Sequence, residues 1–244
     1  MAKTTSKTRA IVLQSIKYGD SSLVVKMLTE ELGIQSYMVK GVFGKKSKMK
    51  AALFQNMTLL EIVADTSSNS LGFIREISLS HYYQSIATDI KKSTIIIFVS
   101  ELLSKAISES ESDPELFNFI YDSMLWLDEA TSDYANFPIV FALKLSRYLG
   151  FFPNIDTYSE KSCFDLLDGS FKMTQNDIHQ IDEELSKYFY DICRASMKAD
   201  QQNLTISNSI RRKLLESIVM YYKLHADEVR DIKSYEILRT LLDA

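Results

Sequence analysis

Residues 8–42 read TRAIVLQSIKYGDSSLVVKMLTEELGIQSYMVKGV, and this stretch sets the architecture of the first third of the chain. It contains three runs rich in Val, Leu and Ile, separated by short segments that contain glycine, at residues 8–18, 22–29 and 34–42. Runs of this length between turn-forming residues are typical of β-strands joined by tight turns. The stretch therefore predicts three consecutive strands.

Two further strand-like runs follow at residues 53–64 and 71–79. A glycine- and lysine-bearing loop at residues 41–50 precedes the first, and the polar segment 65–70 separates the two. Five short antiparallel strands in about 80 residues favour a small barrel, and the OB-fold is the commonest five-stranded one. An SH3-like barrel satisfies the same pattern.

Helical periodicity replaces the strand pattern from about residue 85. The apolar run 93–107 has the length and flanks of a buried helix, and Asp113 followed by Pro114 is a typical helix start. Further helical spacing covers residues 138–149, 181–197, 209–224 and the region of Tyr235 to Leu242.

The pattern thus predicts an α+β multidomain chain. An N-terminal OB-fold β-barrel takes residues 1–80. An α-helical C-terminal domain takes residues 81–244, with a short hairpin insertion at about residues 154–175, around the turn-forming pair Asp168 and Gly169.

The composition is that of an ordinary globular protein, with 46% hydrophobic and 25% charged residues in 244. Two cysteines, Cys163 and Cys193, cannot form a disulfide framework, which fits a reducing cytoplasm. The longest apolar run, residues 95–99, is far shorter than the ~20 residues that span a bilayer, and the start of the chain lacks a signal-peptide core. We expect a soluble cytoplasmic protein with no membrane partner.

Charge is distributed unevenly along the chain. Residues 1–80 carry eleven Lys and Arg against six Asp and Glu, a net +5, whereas residues 81–244 carry 17 against 26, a net −9. This asymmetry indicates a basic binding module attached to an acidic one. Five of the lysines lie within residues 40–50, which contain no acid. Such a basic run is also consistent with a solvated loop.

The candidate phosphate-binding residues are cations of the first 50 residues. The main phosphate contacts are predicted at Lys40, Lys45, Lys46, Lys48 and Lys50, with Arg9, Lys17 and Lys26 as an extension. Isolated strand lysines also serve as edge protection. Candidate base-stacking residues are Tyr18, Tyr37 and Phe43, and for Tyr37 a core position is an equally good interpretation.

No catalytic motif is present in the sequence. It contains neither a Walker loop nor a dinucleotide-binding glycine loop nor a zinc-protease motif. The histidines, His81, His179 and His225, are dispersed, and no nucleophile is paired with a base. We therefore predict a protein that is not an enzyme and has no cofactor; an unrecognised hydrolase is the weakest alternative.

Short segments in a fixed order resemble the amino-terminal signature of the bacterial DNA repair protein RecO family: residues 10–13 (AIVL), 18–21 (YGDS), 24–25 (VV), 28–29 (LT), 33 (G) and 40–42 (KGV). The helical half resembles the same family at residues 147–153 (RYLGFFP), 211–222 and 233–234. No single segment is specific, but the ordered set runs over nearly the whole chain.

The resemblance implies a recombination mediator with an OB-fold and a helical domain. Such a protein binds single- and double-stranded DNA and anneals complementary strands. With RecR, and in many bacteria RecF, it loads RecA onto DNA coated by single-strand-binding protein (SSB), and it is cytoplasmic and nucleoid-associated. An OB-fold protein–protein adaptor with little DNA binding of its own is the alternative.

Three cations open a predicted helix, where positive charge is mildly unfavourable: Arg211, Arg212 and Lys213. They are candidates for contact with DNA or, given the family resemblance, with the acidic C-terminal tail of SSB. Salt bridges to carboxylates of the same domain are the simpler explanation.

The sequence departs from the family pattern at one place. Many relatives carry a four-cysteine zinc site after the Gly-Phe-x-Pro segment, whereas this chain holds only Cys163 and Cys193, which with His179 match no usual zinc spacing. We expect two buried thiols and no metal, and a hairpin held by apolar packing of Phe164, Leu166 and Phe171.

Overall fold

The computed structural model describes residues 4–44, 51–67, 70–107, 111–173, 178–197 and 205–241. The chain divides into two compact units, which are residues 1–129 and 130–244.

Five strands of the first unit form a closed barrel in the order β1-β2-β3-β5-β4. They are β1 (Thr4–Tyr18), β2 (Ser22–Thr29), β3 (Gly33–Val39), β4 (Leu59–Ser67) and β5 (Ser70–Leu79). Neighbours are antiparallel except β3 and β5, which run parallel. The predicted OB-fold barrel is confirmed, while the prediction that every strand pair is antiparallel is wrong at β3 and β5.

The long strand β1 closes the barrel because it pairs on both sides. Ala10 is opposite Thr29 of β2 and also opposite Leu60 of β4. A register shift between Val12 and Gln14 lies where the strand passes from one partner to the other. Such irregularities bend a strand and increase its twist, which closure of so small a sheet requires.

Alternate side chains of the strands fill the barrel. On β2 the inward residues Leu23, Val25 and Met27 are buried, whereas the residues between them are half-buried. Tyr37 from β3 is fully buried in the same core. Gly72 of β5 makes room for it, since a Cβ there would lie 2.7 Å from the Tyr37 ring.

The strand predicted from residue 53 actually begins at Leu59, which corrects the sequence-based boundary. Residues Ala51–Phe54 form a short 3-10 helix, and Phe54 is buried in the barrel core. The chain then turns at Met57, which has a φ of 64° and donates its N–H to Val12 O at 2.6 Å. This apolar run fills the barrel core instead of extending its wall.

Two α-helices follow the barrel in the described part of the first unit: α1 (Ile90–Ala106) and α2 (Pro114–Glu129). Asp89 caps α1 by accepting the N–H groups of Lys91 and Lys92, and Asp113 accepts the N–H of Leu116 at 2.9 Å as predicted. Compactness groups both helices with the barrel. The limits 1–80 and 81–244 remain a prediction about domains.

The second unit contains four α-helices and a hairpin within the ranges described. The helices are α3 (Phe137–Tyr148), α4 (Glu183–Ser196), α5 (Asn208–His225) and α6 (Ser234–Leu241), and the hairpin consists of β6 (Cys163–Asp165) and β7 (Ser170–Lys172). α3 has its proline in the first turn, and Gly150 follows its end with a φ of 82°, as expected of a helix stop. The helical carboxy-terminal half with a hairpin around Asp168 and Gly169 is confirmed.

Aromatic side chains hold the hairpin against the helices. The Phe164 ring stacks on Phe189 of α4 with centroids 4.4 Å apart, and Phe171 packs against Phe164 at 4.9 Å. His225 Nε2 lies 2.8 Å from Leu166 O, which ties the hairpin to α5. The predicted apolar packing of the hairpin is confirmed.

Over the ranges that the structure describes, no helix combines the length and apolarity needed to cross a bilayer.

Candidate nucleic-acid interface

One end of the barrel brings together exposed cations and aromatic rings. Strand register places them there: Lys17 is opposite Leu23, Leu23 is opposite Val39 at the end of β3, and Phe73 near the start of β5 is opposite Met38. We call this end the barrel rim and define it by Lys17, Tyr18, Lys40, Phe43 and Phe73.

Each rim lysine lies over a rim phenylalanine. Lys17 Nζ is 5.7 Å from the centroid of the Phe43 ring, and Lys40 Nζ is 5.8 Å from that of Phe73. Both lysines are exposed, and neither has a carboxylate partner among the described residues. Phe43 and Phe73 keep 51% and 42% of their surface exposed, so the ring–lysine pairs face solvent.

The backbone after β3 fixes the outward direction of Phe43. Val42 donates its N–H to Ser21 O at 2.9 Å and is itself buried in the barrel core. Gly41 has a φ of 72°, and the N–H of Gly44 bonds to Gly41 O at 3.2 Å. A turn anchored by one buried residue leaves its neighbour Phe43 outside.

The alternation of side chains along β5 fixes the outward direction of Phe73. Gly72 is buried over the Tyr37 ring, and Phe73 therefore points away from the core. The two phenylalanine rings of the rim thus lie on neighbouring parts of the sheet, one after β3 and one on β5.

Four of the predicted phosphate-binding lysines lie outside the described residues: Lys45, Lys46, Lys48 and Lys50. In sequence they follow Gly44, directly after the rim residue Phe43. Of the predicted strand cations, the structure brings Lys17 and Lys40 together with Tyr18 and Phe43 at the rim, where Tyr18 is 61% exposed.

Arg9 is engaged elsewhere, in a contact between barrel and helix. Its guanidinium donates to both carboxylate oxygens of Glu30 at 2.8 and 2.6 Å and to Asn118 Oδ1 at 2.7 Å. It also lies within 5.2 Å of the ring centroids of Phe117 and Tyr121 of α2. The hydrogen bonds between Arg9 and Glu30 raise the pKa of Arg9 and lower the pKa of Glu30. Arg9 is a structural residue in this arrangement.

Two further predicted residues also have structural contacts. Lys26 is half-buried, and its Nζ lies 3.4 Å from Ser104 O at the end of α1. Tyr37 has no exposed surface, and burial raises the pKa of its hydroxyl to about 12. The core interpretation of Tyr37 is therefore correct, and its ring offers no face to a base.

Comparison with known proteins identifies the family. A model described as "Recombination protein O N terminal" matches residues 1–83, and one described as "Recombination protein O C terminal" matches residues 87–236. The chain belongs to the RecO family. It is 36% identical to the DNA repair protein RecO of Flavobacterium psychrophilum over 96% of this chain and 97% of that protein. The corresponding protein of Bacteroides fragilis is 35% identical over 97% of this chain and 99% of its own length.

The cations that open α5 differ in accessibility. Arg211 is 9% exposed and donates to Asn136 Oδ1 at 2.8 Å, to Ile206 O at 3.0 Å and to Asn208 Oδ1 at 2.5 Å. Its partners within the described ranges are neutral oxygens, where carboxylates were the simpler expectation, and burial lowers the pKa of the guanidinium. Arg212 is half-buried, and Lys213 is exposed beside a groove of about 650 Å³ next to α6.

The two cysteines of this RecO-family chain are both buried. Burial raises the pKa of the Cys193 thiol well above its usual value, so the group is a neutral thiol. Among the described residues, no three His, Cys, Asp or Glu side chains are grouped so that they could hold a metal ion.

Sequence reasoning missed Phe73 at the rim. A phenylalanine within a strand is ambiguous, because either face of the strand can accept it until the register is known. The adjacent Gly72 was the available signal, since a glycine inside a strand marks a close approach from the neighbouring layer.

Proposed function

We propose that this RecO-family protein is a DNA repair and recombination mediator that binds single- and double-stranded DNA and anneals complementary strands. The observation that supports it best is the exposure of Lys17 and Lys40 at the rim. The rim residues Lys40 and Phe43 also lie just before the lysine-rich residues 45–50 in sequence. Both relatives compared above are DNA repair proteins by name, which supports the same role.

The chemistry follows from charge alone. Each ammonium that approaches a phosphate releases a condensed counterion, which stabilises binding without reading sequence. Two strands that are both screened by such cations repel each other less, so complementary bases can search for their partners. Annealing of this kind has no bond-making step and needs neither a catalytic residue nor a cofactor.

Family membership supports a proposal about partners. We propose that the protein acts with RecR, and with RecF where it is present, to load RecA onto SSB-coated DNA. The acidic C-terminal tail of SSB is a partner for the cations that open α5, of which Lys213 presents an exposed ammonium. Cytoplasmic, nucleoid-associated localisation belongs to the same proposal.

A titration of fluorescently tagged single- and double-stranded oligonucleotides, repeated across a range of salt concentrations, tests the function. Affinity for both forms that falls steeply with salt supports the mediator. Absence of binding even at about 50 mM salt would contradict it, because electrostatic binding is strongest under those conditions. That result would favour a protein–protein adaptor.

A further inference from the structure

Besides Tyr18, the rim exposes two phenylalanine rings, and neither belongs to the core of the barrel. Phe43 and Phe73 are 51% and 42% exposed, while the barrel core is closed without them by residues such as Tyr37, Val42 and Phe54. Exposed apolar rings grouped on one surface commonly mark a binding site.

The rings of Phe43 and Phe73 lie at the same end of the barrel. β3 and β5 are neighbours in the barrel, Phe73 is on β5, and Phe43 follows β3 by four residues. Adjacent strands lie about 4.8 Å apart, so both rings fall within the several nucleotides that one OB-fold covers.

The contact between each ring and its lysine is weak enough for a ligand to replace it. A cation–π contact at an exposed site contributes only about 0.5–1 kcal/mol, and a lysine stem rotates freely. When a nucleotide arrives, the ammonium can move to the phosphate while the exposed part of the ring contacts the base. In each pair the lysine can therefore bind the phosphate of a nucleotide, and the ring can contact its base.

We propose that Phe43 and Phe73 are stacking platforms for unpaired bases, so that the rim distinguishes single-stranded from double-stranded DNA. The inference rests on the proposed function and adds to it: the lysines bind either form through phosphate, whereas the rings act only on bases that are free to stack. In a duplex both faces of an internal base are already covered by its neighbours, so the rings add nothing there.

The test replaces the rings while keeping their apolar character. Phe43→Leu and Phe73→Leu, alone and together, are compared with Tyr82→Leu, which removes an aromatic ring that is 70% exposed outside the rim. Each full-length variant is titrated with a single strand, a duplex and an abasic strand of equal length.

We expect each rim variant to lose roughly 5- to 100-fold in affinity for the single strand. Affinity for the duplex and the abasic strand, and the dependence of each affinity on salt, should stay as in the wild type. The Tyr82→Leu control should bind all three as the wild type does. A loss that is equal on all three ligands, or no loss on the single strand, overturns the inference.

A second variant gives a direct fluorescence signal. It does not depend on whether the rim keeps its structure with leucine in place of phenylalanine. In Phe73→Trp the new indole should be quenched by the single strand and not by the abasic strand. Equal quenching by both would contradict stacking. If the wild type binds no DNA at all, the proposed function itself fails, whereas DNA binding without any base-dependent signal refutes only the stacking platforms.

Discussion

Lys17 and Lys40 differ from Arg9 and Lys26 in what surrounds them. The first two are exposed over aromatic rings at the rim. Arg9 is held between Glu30 and the rings of α2, and Lys26 reaches the end of α1. A cation that already has an anionic or helical partner gives up that contact to bind phosphate. Lys17 and Lys40 would give up only a weak cation–π contact, so we expect them to bind phosphate at a lower cost.

Neutralising the rim pair with Lys17→Gln and Lys40→Gln should weaken binding to any DNA sequence. If both ammonium groups meet phosphates, the slope of log affinity against log salt should flatten by about 1.8 on duplex and about 1.4 on single strands. The control Lys187→Gln with Lys223→Gln removes the same charge from exposed positions of the second unit. Equal effects of the two pairs would show that only net charge matters.

At the scale of elements, one buried carboxylate ties α2 to the segment that enters α1. Asp128 accepts the N–H groups of Gln84, Ser85 and Ile86 at 2.9–3.1 Å, and His81 Nε2 lies 3.1 Å from it. Burial by itself would raise the pKa of Asp128, but these hydrogen bonds outweigh it and hold the pKa well below its usual range.

Asp128→Asn should lower the free energy of unfolding by about 2–3 kcal/mol at pH 7, because an amide replaces a charged acceptor shared by several donors. A carboxyl with a depressed pKa stabilises the fold above its unfolded pKa, near 4, and that contribution is lost as pH falls through the folded value. The difference between variant and wild type should therefore shrink below about pH 4. Denaturant unfolding at pH 7 and pH 3 measures it, and a difference that does not change between them would contradict the interpretation.

Aromatic packing explains how the second element, the hairpin of β6 and β7, is stabilised. Its core is a set of rings in contact: Phe164 with Phe171, Phe189 and Tyr221. Tyr221 in turn donates its hydroxyl to Phe151 O at 2.7 Å. Apolar burial of this extent can replace the constraint that a metal gives to a short hairpin.

Phe164→Ala should therefore lower stability by about 3–5 kcal/mol, whereas Leu167→Ala, at a half-exposed position of the same hairpin, should cost much less. A chelator should leave the melting temperature of the wild type unchanged. About one zinc per chain in elemental analysis would refute this and direct attention back to Cys163 and Cys193.

At the scale of the whole molecule, charge is the organising property. The basic first 80 residues, at net +5, carry the rim and the lysine-rich segment, and the remainder carries −9. This asymmetry should attract a polyanion to the first 80 residues and repel it from the rest, so we expect any DNA that binds to contact the first 80 residues.

Reversing the lysine-rich segment should weaken DNA binding and annealing together. The variant carries glutamate at Lys45, Lys46, Lys48 and Lys50, and its salt slope should flatten by roughly 3. Its matched control reverses four exposed lysines elsewhere, Lys91, Lys161, Lys187 and Lys223. The expected loss is similar for different DNA sequences, since phosphate contacts carry no base information. Unchanged affinity and slope would show that the segment is merely solvated.

Local sequence was sufficient to predict most elements and the family. Turn residues and apolar runs placed β2 at residues 22–29 and the hairpin turn at Asp168 and Gly169, and the Asp113–Pro114 pair marked the start of α2. These features depend on neighbours a few residues apart, whose conformational preferences can be read directly from the residue types.

Which side chains are available at the surface depended instead on tertiary structure. Tyr37 and Phe73 are both strand aromatics, yet one is buried and the other is at the rim. The sequence pattern predicts that Leu53 and Phe54 begin a strand, but they lie against or in the barrel core, and Arg211 is enclosed by three oxygens. Each outcome depends on register and closure between segments distant in sequence, such as the parallel pairing of β3 with β5. A one-residue change in that pairing would exchange inward and outward faces while leaving every local preference satisfied.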